Sequence, residues 1–330
     1  MNSFQNKNIL FISVSFFGYQ NEIFNSIVKR GGNVDLFDER PKNTFFTKAL
    51  IRINRNSLGY LINKYYNKII NITQKRNYDY IFITKGESIS SKSLIKLRKL
   101  HPKAKFILYL WDSIINNKNA IKNICYFDYV YSFDKNDCSR YNFRFLPLFY
   151  IDTYENNEIE EKKDIDLLFI GTIHSDRYNF IQKINKQILS YKLVSYYYMY
   201  FPSIILFYKM KFENKIPRKI SKEEFHFKSL GKEDIAKYLR RSNIIIDIQH
   251  PKQTGLTMRS IETLGAKRKL ITTNVSIKEY DFYNPNNILI IDRINPVIPM
   301  DFFTNPYEEV PLQIYKKYSL ESWIETIFNS

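Results

Sequence analysis

The chain has 330 residues, a formal net charge of +17 at pH 7, 44% hydrophobic and 25% charged residues, and two cysteines. Its length exceeds one ordinary core, so two domains of roughly 100–200 residues are expected, and its hydrophobic share excludes wholesale disorder. Cys125 and Cys138 lack CxxC spacing, which excludes a zinc knuckle and a disulfide framework.

The run NILFIS (Asn8 to Ser13) predicts a first strand, followed by a loop containing Gly18 and a helix from about Asn21 to Arg30. Gly31-Gly32 ends that helix and NVDLFDE resumes as a strand. A long amphipathic region (46–73) precedes the strand DYIFITKG, the helix SSKSLIKLRKL, the strand KFILYLW, a further helix and the strand YDYVYSF. Such alternation predicts parallel strands joined by right-handed crossovers, a Rossmann-like domain over 1–152.

The stretch DTYENNEIEEKKD (Asp152 to Asp164) is charged and nearly free of apolar residues, which marks 153–163 as a linker. Alternation restarts over 164–315: strand DLLFIG, a helix from about Asp176, a Tyr-rich strand near Val194, a basic region to Lys222, and strand FHFKS. Helix KEDIAKYLRRS, strand NIIIDI, helix GLTMRSIETLGA and strands RKLITTN and NILIID follow, giving a second Rossmann-like domain. Residues 316–330 hold the helix YSLESWIETIF, opened by Ser319 as an N-cap and free to pack back on the N-terminal domain.

No stretch reaches the roughly 20 apolar residues of a membrane span. The nearest, YYYMYFPSIILFYKMKF (Tyr196 to Phe212), is broken by Pro202 and carries Lys209 and Lys211. Two readings of it stay open: an interfacial segment, or a buried strand followed by a core helix. The N-terminal apolar run is short and lacks a cleavage site, so the expected location is cytoplasmic.

Two such domains imply a cleft, and ligands of open parallel sheets bind beyond the carboxyl ends of the strands. HPKQTGLTMRSIE (His250 to Glu262) lies in such a place, after NIIIDI. There Thr254 can cap the helix, Gly255 lets a ligand approach the backbone, and the amides of Thr254, Gly255, Leu256 and Thr257 suit a diphosphate. Arg259 and Glu262 share one helix face, with Met258, Ile261 and Leu264 on the other. Spacing alone favours a solvated ion pair; the functional alternative places Arg259 at phosphate and Glu262 at a ribose diol. His250 stands either at the donor sugar or as a strand-end cap.

In the first half, Asp112 of LYLWDSI follows the fourth strand and is a candidate base for an acceptor hydroxyl, or the N-cap of INNKNAIKNI. Lys85, Gly86 and Glu87 after the third strand, and Gly18 after the first, are acceptor-side candidates. The four histidines are scattered and no DxD triad is evident, so no metal is expected.

The two-domain pattern, the run SLGKEDIAKYLRRSNIIIDIQHPKQTGLTMRSIETLGAKRKLITTN and the closing YSLESWIETIF resemble bacterial GT-B glycosyltransferases. More narrowly they resemble CgeB-like and lipopolysaccharide or capsular polysaccharide biosynthesis glycosyltransferases. The similarity is strongest over Phe225 to Arg293, weaker over Asp166 to Arg177, and architectural over the first half. The resemblance implies an α/β GT-B fold whose C-terminal domain binds a nucleotide diphosphate sugar. It places Glu262 at the ribose-binding glutamate, and Gly171 and Arg177 at the donor cleft. Many retaining relatives carry a second glutamate eight residues before that one; here Thr254 stands there, which puts a retaining outcome in doubt.

The implied activity is metal-independent glycosyl transfer to a glycan or lipid-linked acceptor, without cofactor. Peripheral contact with an anionic membrane is left open, and nucleic acid is not expected as a partner. A CDP-polyol phosphotransferase, with His250 as its histidine, is the enzymatic alternative; a basic nucleic-acid-binding or scaffold protein is the non-enzymatic one. The basic balance selects none of these, because an AT-rich coding composition rich in Lys, Asn, Ile, Tyr and Phe produces it equally.

Overall fold

A computed structural model describes residues 4–41, 59–155, 162–251 and 253–329. The first part of the expected amphipathic region (46–58) and most of the expected linker (156–161) lie outside the described residues. The chain forms two compact units, Met1–Leu148 with Leu320–Ser330, and Phe149–Ser319.

In the first unit β1 (Asn8–Ser13), α1 (Tyr19–Lys29), β2 (Asn33–Asp38), α2 (Gly59–Thr73), β3 (Tyr80–Thr84), α3 (Ser91–Leu100) and β4 (Lys105–Leu110) alternate. β5 (Tyr129–Ser132), α4 (Lys135–Tyr141) and the short β6 (Arg144–Phe145) complete it. The sheet runs β2-β1-β3-β4-β5-β6, with every pair parallel. The central strands are apolar on both faces because helices cover both. Leu10, Ile12, Ile81, Ile83, Phe106 and Leu108 form one side of the core with Ile62, Tyr66, Leu94 and Leu97. The helix expected after Asp112 is instead a 3-10 segment, Lys118–Tyr126, flanked by Asn117. Asp112 is therefore not the cap of that segment.

The second unit holds β7 (Ile165–Thr172), α5 (Arg177–Ser190), β8 (Ser195–Tyr200), α6 (Ile204–Phe212), α7 (Lys232–Arg241), β9 (Ser242–Asp247), α8 (Met258–Gly265) and β10 (Lys269–Thr272). β11 (Ile288–Ile290) and the short α9 (Asp301–Thr304) and α10 (Leu312–Lys317) follow. Its sheet, β11-β10-β9-β7-β8, is also parallel throughout. The expected strand FHFKS does not form: it contributes one bridge, His226 to Tyr200, at the edge of β8. Phe201, Phe207 and Phe225 cluster there, so two backbone hydrogen bonds at His226, to Met199 and Phe201 at 2.8 Å each, and aromatic packing hold that segment. Gly265, at the end of α8, is a packing requirement, since a Cβ there would meet the Tyr150 ring at 2.6 Å.

The last helix, α11 (Leu320–Phe328), belongs to the first unit. Phe328 packs against Phe4 at 5.0 Å and Tyr80 at 5.1 Å, and Trp323 against Tyr109 at 4.7 Å. Arg30 Nη2 meets Glu321 Oε1 at 2.8 Å, tying α11 to the end of α1. The chain thus leaves the first unit at Leu148 and returns to it 172 positions later at Leu320.

Candidate functional site

In each sheet the chain reverses direction of growth beside its first strand: between β1 and β3 in the first unit, and between β7 and β9 in the second. At such a point the two following loops diverge to opposite faces and open a crevice at the carboxyl ends of the strands. The sequence candidates fall at these two points.

In the second unit the loops after β7 and β9 are joined by arginines. Arg177, the first residue of α5, donates from Nη1 to the Thr172 carbonyl at 2.9 Å and from Nη2 to the Ile248 carbonyl. Burial lowers its guanidinium to about 10, although Asp247 opposes the shift. Its Nε is buried with no hydrogen-bond partner among the described residues. Arg293, after β11, grips both carboxylate oxygens of Asp176 at 2.8 and 2.6 Å and donates to the Gln249 carbonyl at 2.9 Å. Such a fork holds the three loops in one geometry.

His174 and His250 face each other at 5.5 Å between ring centroids. Burial, then the charges of Arg177, His250 and Arg293, lower His174 to about 3. It is therefore neutral at pH 7, a polar group able to donate or accept without adding charge. Gly171 lies inside β7, paired with Met199, and makes no tight turn; the Phe169 ring comes within 2.8 Å of where its Cβ would stand.

The helix cap differs from expectation. Thr257, not Thr254, caps α8: its Oγ1 accepts from the Ser260 amide at 3.3 Å. Thr257 Oγ1 and Ser260 Oγ both donate to Asp247 Oδ2, at 2.6 and 2.7 Å. This buried carboxylate at the end of β9 thereby anchors the helix start. Asn274, after β10, donates to the carbonyls of Thr254 and Gly255 at 3.1 and 3.4 Å, turning the loop's carbonyls inward to the protein. Leu256 is buried beneath. The solvated ion pair is corrected as well: Arg259 Nη1 meets Glu262 Oε2 at 2.6 Å with side chains 14% and 5% exposed. A buried pair carries a desolvation cost that a surface pair does not. The cause is the depth of α8, which is buried from Ser260 to Gly265.

In the first unit Lys85, Glu87 and Asp112 converge. Lys85 Nζ lies 3.1 Å from Asp112 Oδ2 and 3.5 Å from Glu87 Oε2. Arg40, after β2, donates to Glu87 Oε2 at 2.6 Å. Lys85 and Gly86 both take positive φ, 74° and 65°, a conformation that costs a lysine energy and is held by its surroundings. The Asn117 side chain donates to the Lys85 carbonyl at 2.7 Å. The segment after Asp112 is fixed by Ser113 Oγ donating to Asp134 and the Ile114 amide donating to Asp137, both at 2.7 Å.

Gly18 has φ 83° at the mouth of α1, with open space where a Cβ would be. Beside it the exposed Phe16 and Phe17 stand in one aromatic group with Trp111, 6.0 Å from Phe16. Asp112 is next in the chain to Trp111, and its side chain is 31% exposed.

Sequence reading missed Glu39. It is fully buried after β2, its Oε1 accepts from the Ser88 amide at 2.6 Å, and its Oε2 has no partner among the described residues. Burial raises its carboxyl from 4.5 to about 7, against the pull of the Ser88 amide. The folded chain thus holds this proton more tightly than the unfolded chain. Its contribution to stability is present below pH 4.5 and is lost as pH rises to about 7. We expect Glu39→Gln to gain about 3 kcal/mol relative to the native chain across that window, measured by urea unfolding at a series of pH values. A pH-independent difference would contradict it.

Missed too were Arg40, Asp247, His174, Asn274 and Arg293. Asp247 ends an apolar run, as Asp112 nearly does, and that shared position was a usable signal. Among the described residues no group of three or more His, Cys, Asp and Glu side chains is placed to hold a metal ion.

No protein-family model matches the chain, and no curated protein matches it. Solved structures do. A glycosyltransferase from Rickettsia africae matches with a TM-score of 0.62 at 14% identity, covering 97% of each chain. The HepE protein of Anabaena in complex with UDP and glucose matches at 0.62 and 12% identity, covering 97% of this chain and 98% of that one. The UDP-GlcNAc 2-epimerase from Methanocaldococcus jannaschii matches at 0.60 and 12% identity, covering 98% of this chain and all of that one (100%). At these identities the likeness is one of fold. The two parallel α/β units are those of the GT-B class.

Proposed function

We propose that the protein is a glycosyltransferase that moves a sugar from a nucleotide diphosphate sugar to a hydroxyl of a glycan or lipid-linked oligosaccharide in bacterial surface polysaccharide synthesis. The observation that carries this reading is the switch point of the second sheet. There the start of α8, the buried Arg259–Glu262 pair and the guanidinium of Arg177 meet around the loop that follows β9. A helix start and cations favour a diphosphate. A carboxylate has about four acceptor positions, so Glu262 can receive ribose hydroxyls while it holds Arg259. His250 and neutral His174 would stand at the sugar or phosphate, with Gly171 and Arg177 shaping the pocket floor. The structures of HepE with UDP and glucose and of the Rickettsia enzyme support the same reading.

Transfer breaks the bond between the sugar's anomeric carbon and the diphosphate, and forms one to the acceptor oxygen. The leaving diphosphate takes the electron pair, and its charge is met by the amides of residues 254–257 and by Arg259. The acceptor's proton goes to Asp112, which Lys85 orients at 3.1 Å. Phe16, Phe17 and Trp111 give the acceptor's apolar sugar face an aromatic surface, with Gly18, Lys85 and Glu87 around it.

The test is nucleotide binding followed by turnover. A thermal-shift series with UDP, GDP, CDP and dTDP sugars should raise the melting temperature for one base, and that donor should then release nucleotide only when a glycan acceptor is added. No shift with any of them would reject the reading. Nucleotide release without acceptor, with an epimerised sugar, would favour the activity of the epimerase that shares the fold.

A further inference from the structure

Among the described residues no helix is long and apolar enough to cross a membrane, yet α6 is apolar around most of its circumference. A helix of that kind is ordinarily enclosed on all sides. Here one side is enclosed: Phe207 and Met210 are buried, in the core with Phe201 and Phe225. The other side is not. Ile204, Ile205, Tyr208 and Phe212 are exposed, Ile205 by 74% and Phe212 by 83%. At 3.6 residues per turn these four span an arc of about 100°. Lys209 and Lys211 border that arc on its two sides, and Phe227, exposed beside Phe201 and Phe207, adjoins it.

The charge around this face is mixed with a basic excess: Glu213, Glu223 and Glu224 stand among six basic residues. These are Lys209, Lys211, Lys215, Arg218, Lys219 and Lys222. Lys209 and Lys215 share the Glu213 carboxylate at 3.7 and 2.5 Å and Lys211 donates to the Ile220 carbonyl at 2.6 Å, a neutral partner, so the stretch keeps a net positive charge. Ser203 caps the helix by accepting from the Leu206 amide at 3.2 Å, so the apolar arc is presented by an ordered element.

An apolar arc bordered by lysines on both sides, with a tyrosine and a basic skirt, matches the chemistry of an anionic bilayer surface: the side chains enter the acyl boundary while the lysine stems reach up to the headgroups. We propose that the exposed face of α6 docks the protein on an anionic lipid surface. The inference is independent of the transfer reaction and would hold whatever the second unit binds.

Vesicle cosedimentation tests it with the full chain. Vesicles of equimolar phosphatidylcholine and phosphatidylglycerol should pellet the protein, salt should weaken this, and phosphatidylcholine vesicles should not pellet it. Ile205→Asp/Phe212→Asp should weaken anionic-vesicle binding by at least about tenfold, and so should Lys209→Glu/Lys215→Glu, which leaves the apolar face intact. Both pairs are exposed and the melting temperature should hold; any nucleotide-induced thermal shift should persist, which separates a failure here from a failure of the proposed activity. The proposal is overturned if the native chain ignores anionic vesicles or if both variants bind them as well as it does. It is also overturned if ultracentrifugation shows a dimer that Ile205→Asp/Phe212→Asp dissolves, since the face would then join two copies of this chain.

Discussion

Glu262→Ala is expected to lower stability by about 3–5 kcal/mol and to abolish the nucleotide-sugar thermal shift. The first effect follows from burial: the variant removes the carboxylate 2.6 Å from the Arg259 guanidinium, which is 14% exposed, and breaking a buried pair by deleting one partner is costly. The second follows from the proposed ribose contact. The two are separable, because Arg259→Met/Glu262→Met replaces both charges with apolar groups of similar length. That pair should recover most of the lost stability while the donor-induced shift stays absent. A double variant that binds the donor as the native chain does would remove Glu262 and Arg259 from the donor site and leave them a purely structural pair.

Asp112→Asn is expected to reduce the transfer rate by about 10²–10⁴-fold, the range of a lost general base, with the donor-induced thermal shift unchanged. The contrast rests on location: Asp112 follows β4 in the first unit, whereas the proposed donor contacts lie in the second. The amide keeps the shape and can still accept a hydrogen bond from Lys85 Nζ, so folding should be little affected. A rate within a few-fold of native, measured at saturating donor and acceptor, would move the base to another group, with Glu87 the neighbour to examine first.

The alternation of elements was legible because a buried parallel strand must be apolar on both faces, and runs such as NILFIS and NIIIDI have no other comfortable place in water. FHFKS was misread as a strand for a related reason: its aromatic alternation serves packing on Phe207, and no ladder continues beyond the bridge at His226. Thr254 was misread as the cap because Thr254 and Thr257 both suit the role; the choice of Thr257 depends on Asp247 reaching across from the end of β9. Glu39 carried no signal at all, since its raised pKa comes from complete burial, which the local NVDLFDE pattern does not encode.

By itself the sequence determined the order of strands and helices, the loops beyond strand ends where polar residues collect, and the helical pairing of Arg259 with Glu262, because these depend on neighbours within a few residues. The tertiary structure alone decided that this pair is buried, that Arg177 and Arg293 bind loops together through backbone carbonyls, and that Lys85 meets Asp112. It also decided that α6 keeps an apolar face in water. Each of these is set by which distant segments displace solvent from a side chain, and displacement of solvent is a property of packing that no local pattern contains.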